Sequence, residues 1–532
     1  MLPWIEILPA FGHGGLVVTV LAAFAALLIT RTDGYRGSKD GIYALAGVVA
    51  IPVLTELALT TWYLFSPTYL DHIEASAASV TQYFLQGTAV YPDLGSYTFH
   101  GLLYGPLLAE VSSLGYLFGS GVFASKLVGW VAAWTAIGLL LALPHPSGRR
   151  WHWAAAISSV LLVLTTFGSV LTADRADSLL LLCATAGFFC VLRYSGLPAL
   201  AALALLAGAA TDLKLHGPAY LLPALYWWVS EQRERRVGRW LQATGVVTVA
   251  GLIGVGLPFI PGNVDLDGYL GYIGLATKHG LAWGELISNC AFLLSLWAPP
   301  VLIFLATRVM PRPLRTFAAL LFTVETVVAV IAGKPGAGNH HLLPFLCFHA
   351  VLLQRMLAAA SEAPHDEERA ARGAAVALAV VLVGTAWPAG AIFRYLFRFD
   401  LQLPRQEATR AELTRIAARY PLGMLGVSDL SSYPLTSFRP WLTLTGTRQT
   451  DYGAMMDLKL SGVSDAPLAL ALASCEIPYL FMPRPGVPFT LPNSYGGPLF
   501  SDAVRAEFLR RYSLLETGTD FDVYGCNRGS AH

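Results

Sequence analysis

Residues 71–106 read DHIEASAASVTQYFLQGTAVYPDLGSYTFHGLLYGP, and this polar stretch interrupts a sequence dominated by apolar runs. Asp71, Glu74, Asp93 and two histidines lie within it, directly after one such run. Asp71 and Glu74 are three positions apart, so on a helix both carboxylates would lie on one face. Two interpretations remain open: the acid–base part of an active site, or a solvated loop with an ordinary acidic helix start.

The composition around this stretch is that of a membrane protein. Only 13% of the residues are charged and 55% are hydrophobic, whereas a soluble protein carries about 25% charged residues. The net charge of +1 argues against a nucleic-acid partner and leaves no polybasic tail for anionic lipid. The start of the chain, MLPWIEILPA, has no basic region typical of a signal peptide, so we expect the first apolar run to be retained.

Apolar runs long enough to span a bilayer recur through residues 1–396. A spanning helix needs about 20 apolar residues, and by this measure the sequence predicts an α-helical polytopic membrane protein with about twelve transmembrane helices. They lie near 12–30, 41–64, 122–143, 153–172, 178–195, 197–213, 216–230, 240–260, 286–307, 316–333, 340–357 and 374–396. The stretch 101–119 is predicted to be an interfacial or half-inserted helix, because a full span there would reverse every later loop.

The distribution of basic residues predicts the orientation. Alternate connections hold sixteen Lys and Arg residues, whereas the opposite side, up to residue 396, holds six. Since short cytoplasmic loops are enriched in basic residues, the sixteen-residue side is cytoplasmic. The outward loop 67–121 and the C-terminus then face the other side, which in a bacterium is the outer face of the inner membrane. The six outward bases are Lys126, Arg175, Lys214, Lys278, Lys334 and Arg394.

Residues 397–532 differ in character and predict a small soluble α/β domain on the outward side. QEATRAELTRIAARY and SDAVRAEFLRRY have helical periodicity, whereas GMLGVSD and IPYLFMP are typical of short buried strands. No phosphate-binding loop or metal-ligand pattern occurs there, so its simplest role is a lid or an acceptor-recognition module. Cys475 and Cys526 are its only cysteines. They predict a disulfide, which requires their Cα atoms to lie within about 7 Å.

The other outward loops also carry unusual charges. Any one of them is explained by a side chain that reaches out of the membrane edge, but together they favour an anionic ligand. Phosphate is the natural anion for such Lys and Arg residues. Paired carboxylates suggest acid–base catalysis or a divalent cation. The residues lie in the segments ADRADS (Asp174, Arg175, Asp177), TDLKLHGP (Asp212, Lys214, His216), LATKHG (Lys278, His279) and GKPGAGNHHLLPF (Lys334, Asn339, His340, His341).

Glu56 and Glu325 lie within apolar runs. Ionisable residues inside a membrane are functional candidates by default, but a partner on a neighbouring helix explains them equally well. His145 and His349 have no visible partner in the sequence, and we expect them to be structural.

Several of these motifs, in this order, resemble those of one superfamily. DHIE followed by GTAVYP, YGPLL and ASKL resembles the first outward loop of the GT-C glycosyltransferases. The resemblance is strongest to bacterial members grouped with the protein O-mannosyltransferases, the aminoarabinose transferases and the rhizobial core-sugar transferases. DRAD at 174–177 resembles their second-loop R-x-D element, Lys214 matches a basic residue, and GKPGAGNHHLLPF resembles a late outward loop. The similarity covers roughly residues 41–360.

The resemblance implies a membrane glycosyltransferase with a polyprenyl-phosphate-linked sugar donor. A carboxylate would deprotonate the acceptor hydroxyl, on a glycan, a lipid or a protein, while cations stabilise the departing lipid phosphate, usually with inversion. Many members have adjacent Asp and Glu, whereas here His72 and Ile73 separate the two acids. Counting back from Gly87 makes Glu74 the counterpart of the second acid, and the choice of base stays open.

Asp71 and Glu74 are therefore the catalytic candidates. His72 competes as a base, but on a helix it points about 100° away from Asp71 and out of the site, so it is grouped with the substrate-binding candidates. No cofactor is assigned, although a divalent metal ion would suit the paired acids. A transporter or flippase for lipid-linked sugars is the alternative, but such proteins bind near the bilayer midplane. The substrate-binding candidates are His72, Tyr91, Tyr104, Asp174, Arg175, Asp177, Lys214, Lys278, Lys334, His340 and His341.

Overall fold

The computed structural model describes residues 39–144, 149–231, 237–362, 364–444, 446–447, 449–493 and 496–527. The predicted span 12–30, His145 and the basic residues 233–236 lie outside these ranges. Within these ranges, fourteen α-helices precede the C-terminal region: α1 (Lys39–Phe65), α2 (His72–Leu85), α3 (Leu107–Ser113), α4 (Gly121–Leu141), α5 (Arg150–Leu164), α6 (Gly168–Leu171), α7 (Ala176–Arg193), α8 (Leu197–Thr211), α9 (Leu222–Glu231), α10 (Val237–Gly256), α11 (Leu266–Ala276), α12 (Trp283–Thr307), α13 (Arg312–Ile331) and α14 (Leu346–Ala360). There follow α15 (Pro364–Leu401), α16 (Leu403–Arg419), β1 (Met424–Leu425), α17 (Arg439–Thr443), α18 (Tyr452–Leu460), α19 (Ala466–Ala473), β2 (Tyr479–Pro483), α20 (Asp502–Arg511), β3 (Tyr512–Thr517) and β4 (Phe521–Cys526).

Within the described residues, nine helical segments are long and apolar enough to cross a membrane. They match nine of the twelve predicted spans, which confirms the predicted polytopic helical class. The runs 197–213 and 216–230 instead form helices of 15 and 10 residues, α8 and α9, which are shorter than the usual crossing length of about 17–25 residues. The stretch 101–119 contains only a short apolar helix, Leu107–Leu117, so it too is shorter than a crossing, as predicted.

Helices α8 and α10 lie close to each other because glycines line their contact. A Cβ on Gly208 or Gly254 would meet backbone of the facing helix at van der Waals overlap. Gly105 has a similar role in the outward loop. A Cβ there would collide with the backbone of Asp212, and the Gly105 N–H donates to the carbonyl of Leu213 at 3.2 Å. This contact holds the 101–106 segment against the chain that carries Lys214.

Glu325 has its partners on neighbouring helices. His349 Nε2 and Trp297 Nε1 each lie 2.6 Å from a different oxygen of the Glu325 carboxylate. Glu325 and His349 are buried, on α13 and α14. Of the two explanations open for Glu325, the structure supports the helix-packing one, and His349 is structural in the sense expected.

The C-terminal region forms a four-stranded sheet in the order β1-β2-β4-β3, with β1 parallel to β2 and the other pairs antiparallel. The strands around 424 and 479 and the helices around 405 and 505 are those that the sequence predicted. Cys475 and Cys526 form the predicted disulfide, with Cα atoms 5.7 Å apart. The predicted domain boundary after residue 396 falls inside α15, which continues to Leu401.

This region packs on the outward loop rather than standing apart from it. One buried cluster contains Val90, Tyr91 and Phe99 of the loop together with Tyr272 of α11 and Tyr452 of α18. Ser76 on α2 donates to Asp451 at 2.8 Å, and Asp451 forms a buried ion pair of 2.9 Å with Arg439. The C-terminal region therefore covers the end of the bundle where α2 lies.

Candidate functional site

A chain of four buried charges connects the starts of α2 and α7 with the segment after α8. Arg175 Nη1 lies 3.3 Å from Asp71 Oδ2, and Arg175 Nε lies 3.4 Å from Asp177 Oδ2. The other oxygen of Asp177 accepts from Lys214 Nζ at 2.7 Å. All four side chains are at most 10% exposed. Their order alternates in sign, so each charge that is removed from water has an opposite neighbour.

Asp71 occupies the N-cap of α2 and is not part of the helix. Its backbone is extended, with φ −139° and ψ 168°, and Oδ1 accepts from the Glu74 N–H at 2.8 Å. Such extended, non-helical dihedrals are typical of N-cap residues. The expectation that Asp71 and Glu74 project from one helix face is therefore wrong, because the i, i+3 rule requires both residues to be helical.

Glu74 is fully buried behind the charged chain. Its carboxylate accepts from the Tyr63 hydroxyl, from the Leu70 N–H at 3.2 Å and from the Asp174 N–H at 3.3 Å. Burial raises the pKa of Glu74 to about 7, and the Lys126 ammonium opposes this rise. Its contacts tie the end of α1, the start of α2 and the 172–175 turn together.

Asp174 and Lys126 complete this supporting layer. Ser112 on α3 donates to Asp174 Oδ1 at 2.6 Å, and burial raises the pKa of Asp174 to about 8. Lys126 donates to the carbonyls of Tyr63, Ser66 and Thr68 at 2.6–3.1 Å. These are carbonyls at and just beyond the C-terminus of α1, where a cation is favourable. Lys126 thus shapes the loop that leads into α2.

Lys214 lies at the centre of a second polar chain. Its Nζ is 3.3 Å from His341 Nε2, and His341 Nδ1 is 3.2 Å from His216 Nε2. The Tyr104 ring centroid is 5.5 Å from the same ammonium, within the range of a cation–π interaction. Burial lowers the pKa of Lys214, and the Asp177 carboxylate opposes that shift. The ammonium therefore has an acceptor on one side and an aromatic face on another.

A cavity of about 690 Å³ opens beside Lys214. Five of the predicted substrate-binding residues line it together with Lys214. They are His72, Tyr104, Lys334, His340 and His341. Burial also lowers the pKa of Lys334, and Asp457 opposes this shift. The volume is within the range of about 300–1,000 Å³ that small-molecule sites occupy.

One edge of this cavity is apolar and exposed. Leu215, Leu281 and Ile331 line it and are 55%, 54% and 39% exposed. Ile331 is the last residue of a membrane-spanning helix, α13. The cavity therefore has a cationic end and an apolar edge at the end of a span, an arrangement suited to a ligand with a polar head and a hydrocarbon tail.

The C-terminal region contributes two residues that sequence reasoning missed. Asp457 and Gly453, both on α18, line the cavity, and the Asp457 carboxylate interacts with the charge of Lys334. Burial raises the pKa of Asp457 to about 6, with Lys334 opposing. A Cβ on Gly453 would approach His72 Cδ2 and Ser76 Oγ at 3.0 and 3.1 Å, so glycine allows α18 to lie close to α2. The C-terminal region therefore contributes part of the cavity lining.

The remaining predicted residues lie outside the cavity lining or contribute indirectly. Asp71, Arg175 and Asp177 lie behind Lys214 in the charged chain, and Asp174 and Glu74 lie deeper. Tyr91 is buried and donates to the Tyr104 carbonyl at 2.7 Å, so it positions Tyr104. Lys278 is exposed and is not among the lining residues.

His72 lies where the helical-wheel argument did not place it. It lines the cavity and contacts the Tyr433 ring with centroids 5.0 Å apart, whereas Asp71 and Glu74 do not line the cavity. The helical wheel gives only the angle between His72 and Asp71. The cavity lies on the side of His72, where α18 of the C-terminal region forms part of its lining.

The paired carboxylates were considered as metal ligands. Among the described residues, no group of three or more His, Cys, Asp or Glu side chains is arranged to hold a metal ion. Asp71 and Asp177 are instead paired with Arg175 and Lys214. The counter-charges of these acids are therefore side chains of the protein itself.

No family model and no curated protein matches the chain. Solved structures do match it. ArnT from Cupriavidus metallidurans bound to undecaprenyl phosphate aligns with a TM-score of 0.55 at 16% identity, over 91% of this chain and 98% of that chain. The apo state of ArnT aligns with a TM-score of 0.51 at 14% identity, over 90% and 98%. The arabinosyltransferase EmbB from Mycobacterium smegmatis aligns more weakly, with a TM-score of 0.41 at 18% identity over 64% and 33%. Because the ArnT structures match nearly the whole of both chains, this protein shares the fold of ArnT, which is a fold of the kind that the resemblance in its sequence motifs implied.

Proposed function

We propose that the protein is a membrane glycosyltransferase that uses a polyprenyl-phosphate-linked sugar as donor. The observation that carries this proposal is the cavity, whose cationic end at Lys214 adjoins an exposed apolar edge at Leu215, Leu281 and Ile331. A polyprenyl phosphate has the same two parts, an anionic head and a long hydrocarbon chain. The shared fold with ArnT, a protein solved with undecaprenyl phosphate, is in keeping with this ligand class.

Lys214 is the proposed partner of the donor phosphate. An ammonium in a buried site interacts with phosphate more strongly than it would in water. Its preorganised neighbours, Asp177 and His341, hold it in place without covering it. When the sugar leaves, negative charge grows on the phosphate oxygen, and a cation already aimed at that oxygen stabilises the transition state. Lys334 also lines the cavity and supplies a second cation.

Asp71 is the proposed base. It does not itself line the cavity, but it directly precedes the lining residue His72, and its side chain is 10% exposed. The acceptor hydroxyl oxygen attacks the anomeric carbon and its proton passes to the Asp71 carboxylate, while the bond from that carbon to the phosphate oxygen breaks and polyprenyl phosphate leaves. This single displacement inverts the configuration at the sugar carbon. Asp71 has one oxygen on the Arg175 guanidinium at 3.3 Å and is partly accessible. Glu74 is fully buried and holds three donors of its own, which suits a positioning role.

The C-terminal region is proposed to recognise the acceptor. Its helix α18 contributes Asp457 and Gly453 to the lining of the cavity. Glycan, lipid and protein acceptors all present a hydroxyl, so the charged residues from Asp71 to Lys214 do not distinguish between them. The surface of the C-terminal region is proposed to select the acceptor class. The region packs against α2 and therefore belongs to the same end of the bundle as the cavity.

The bacterial inner membrane is the proposed location, because the sequence motifs resemble those of bacterial transferases. The basic-residue distribution favours an orientation with the cavity and the C-terminal domain on the periplasmic side. Cysteine labelling in intact cells tests this orientation. Cysteines introduced near residue 457 should react with an impermeant maleimide, and cysteines introduced in the 233–239 loop should not. Reaction of the second set from outside would overturn the orientation.

The transferase proposal is tested with a panel of radiolabelled polyprenyl-phosphate hexoses and pentoses added to membranes that contain the protein. We expect one donor to lose its label to a membrane or periplasmic acceptor, with release of polyprenyl phosphate. Membranes with Asp71→Asn should leave the donor intact at equal protein level. Movement of intact donor between leaflets without loss of label would contradict the proposal and favour the flippase.

A further inference from the structure

A buried carboxylate that the proposed transfer reaction does not use lies where the outward loop meets the chain that carries Lys214. Gly105 donates to the Leu213 carbonyl at 3.2 Å, and the N–H of Leu107, the first residue of α3, donates to the Asp212 carbonyl at 3.3 Å. Asp212 therefore lies against the start of α3.

A second acid, Glu110, lies one turn further along α3. It is on the same face of the helix as Leu107, and helical side chains lean towards the N-terminus of their helix. The Glu110 side chain therefore leans towards Asp212. Burial, with the Asp212 charge adding to it, raises the pKa of Glu110 to about 7. The two acids are thus close enough for the charge of one to disfavour the charge of the other.

Neither acid has a counter-charge from the described part of the chain. Asp212 is fully buried, and both of its carboxylate oxygens, like Glu110 Oε1, are buried without a hydrogen-bond partner among the described residues. Burial raises the pKa of Asp212 to about 7, and no described cation opposes this rise. Asp177, by contrast, is paired with Lys214 and Arg175. A buried carboxylate without such a partner is costly.

Tyr269 on α11 brings an independent polar group to the same place. It is 6% exposed, and its hydroxyl is buried and has no hydrogen-bond partner among the described residues. Burial, and then the Asp212 charge, raise the pKa of Tyr269 to about 12. The hydroxyl and the Asp212 carboxylate are therefore near each other without a hydrogen bond between them. The neighbouring Tyr91 is already satisfied, because it donates to the Tyr104 carbonyl at 2.7 Å.

We propose that Asp212, Glu110 and Tyr269 bind one hard divalent cation of the Mg²⁺ or Ca²⁺ type. The unpartnered atoms are all oxygens, which these cations prefer, and Mg²⁺ in particular is often held by one or two carboxylates with water as its other ligands. The set contains no thiolate or imidazole, the ligands typical of zinc. Two carboxylates balance the charge of one such ion. Glu110 is only partly buried, so the ion enters from its side.

This site is separate from the transferase cavity, because none of its three residues lines that cavity. A bound cation joins α3, α11 and the chain after α8. It thereby holds the two segments that carry Tyr104 and Lys214 to the cavity. The proposal does not depend on the transfer reaction, and cation binding alone tests it.

Titration of the purified, EDTA-stripped protein with Mn²⁺ is the test, with the free ion counted by electron paramagnetic resonance. We expect one tightly bound Mn²⁺ per chain, displaced by excess Mg²⁺ or Ca²⁺. Asp212→Asn and Glu110→Gln keep the side-chain shape and should each weaken binding by at least about tenfold, since loss of even an outer-shell partner of a metal costs about 10–100-fold. Asp267→Asn is the matched control, an exposed acid on the same helix as Tyr269, and should bind Mn²⁺ as the wild type does.

Thermal unfolding in detergent, with and without Mg²⁺, keeps the test decisive if a variant loses binding because it folds poorly. Stripping should lower the unfolding temperature of the wild type and of Asp267→Asn. It should leave Asp212→Asn unchanged, at or above the temperature of the stripped wild type, because this variant lacks the unpaired buried charge.

Three results would overturn the site. One is a wild type that binds no Mn²⁺ tightly, which would leave the two acids to share a proton instead. Another is full binding by both Asp212→Asn and Glu110→Gln. The third is loss of binding in Asp71→Asn but not in Asp212→Asn, which would place the cation at the charged chain beside the cavity.

Discussion

Among the buried charges of the described residues, those around Glu325 and those around Asp177 differ in their surroundings. Around Glu325, both carboxylate oxygens are engaged, by His349 Nε2 and Trp297 Nε1 at 2.6 Å each. Around Asp177, the carboxylate is paired with Lys214 and Arg175, and Lys214 also faces a cavity of about 690 Å³. The first set is closed by helix packing. The second is open to a ligand.

This difference shows that a buried charge in a membrane protein does not by itself mark function. Glu325 satisfies the sequence criterion for a functional intramembrane residue and yet its partners are the neighbouring helices. Lys214 satisfies a weaker criterion, since a lysine at a membrane edge often only reaches for water. What separates them is whether room remains beside the charge for a group that the protein does not supply.

The largest expected effect is at Asp71. Asp71→Asn keeps the shape and the N-cap acceptor but removes the base, so kcat should fall by about 10²–10⁴. Glu74→Gln keeps shape as well and should cost less, because Glu74 is proposed to position and not to accept the proton. Transfer rates in proteoliposomes at matched protein levels measure both. A larger loss for Glu74→Gln than for Asp71→Asn would reverse the assignment of the base.

Lys214→Met should have the next largest effect. Met has a similar length and no charge, so the donor phosphate loses its partner and kcat/KM should fall by about 10²–10³. Lys278→Met is the matched control, because Lys278 is an exposed lysine at the same end of the bundle. The same assay measures both. Similar losses for the two lysines would mean that the transfer rate depends on the overall positive charge at this end of the bundle, and not on the position of Lys214 beside the cavity.

A smaller effect is expected at Asp457, and it should depend on pH. Burial raises the pKa of Asp457 to about 6, so the group becomes an anion only as pH rises through that value. Asp457→Asn should therefore raise the acceptor KM by about tenfold at pH 7.5, the cost of one charged contact, and much less at pH 5. Kinetics at the two pH values measure this. An effect that is equal at both would contradict a role for the carboxylate charge.

Glu325→Gln should have the smallest effect on catalysis. It leaves His349 with a weaker partner inside the bundle, so the free energy of unfolding should fall by about 1–3 kcal/mol. The transfer rate per folded molecule should stay within about twofold of wild type. Thermal unfolding in detergent and the transfer assay measure the two quantities. A large loss of transfer rate with unchanged stability would mean that Glu325 takes part in catalysis, and would contradict the structural role given to it here.

Much of this arrangement could be predicted from the sequence. The spans, the disulfide and the cavity placement of Lys214, Lys334, His340 and His341 follow from local patterns: long apolar runs, cysteine position and lone charges in outward loops. These signals are contained within a few neighbouring residues. They can therefore be recognised without knowing which helices pack together.

The parts that could not be predicted depend on contacts between distant segments. Asp457 reaches the cavity only because the C-terminal region shares a core with residues near Tyr91 and Phe99, and no motif around it signals this. Their spacing predicts Asp71 and Glu74 to be a pair on one helix, but Asp71 is the N-cap and only Glu74 is helical. A capping pattern, Asp followed three residues later by Glu, was available in the sequence and would have indicated the different roles.

The most direct test of the central claim is a cryo-electron-microscopy map of the protein with added undecaprenyl phosphate. The lipid phosphate should lie beside Lys214, with an oxygen within about 4 Å of Lys214 Nζ. The hydrocarbon chain should leave the cavity past Leu215, Leu281 and Ile331. In Lys214→Met the same density should be absent. A phosphate located away from Lys214, or unchanged in the variant, would contradict the account.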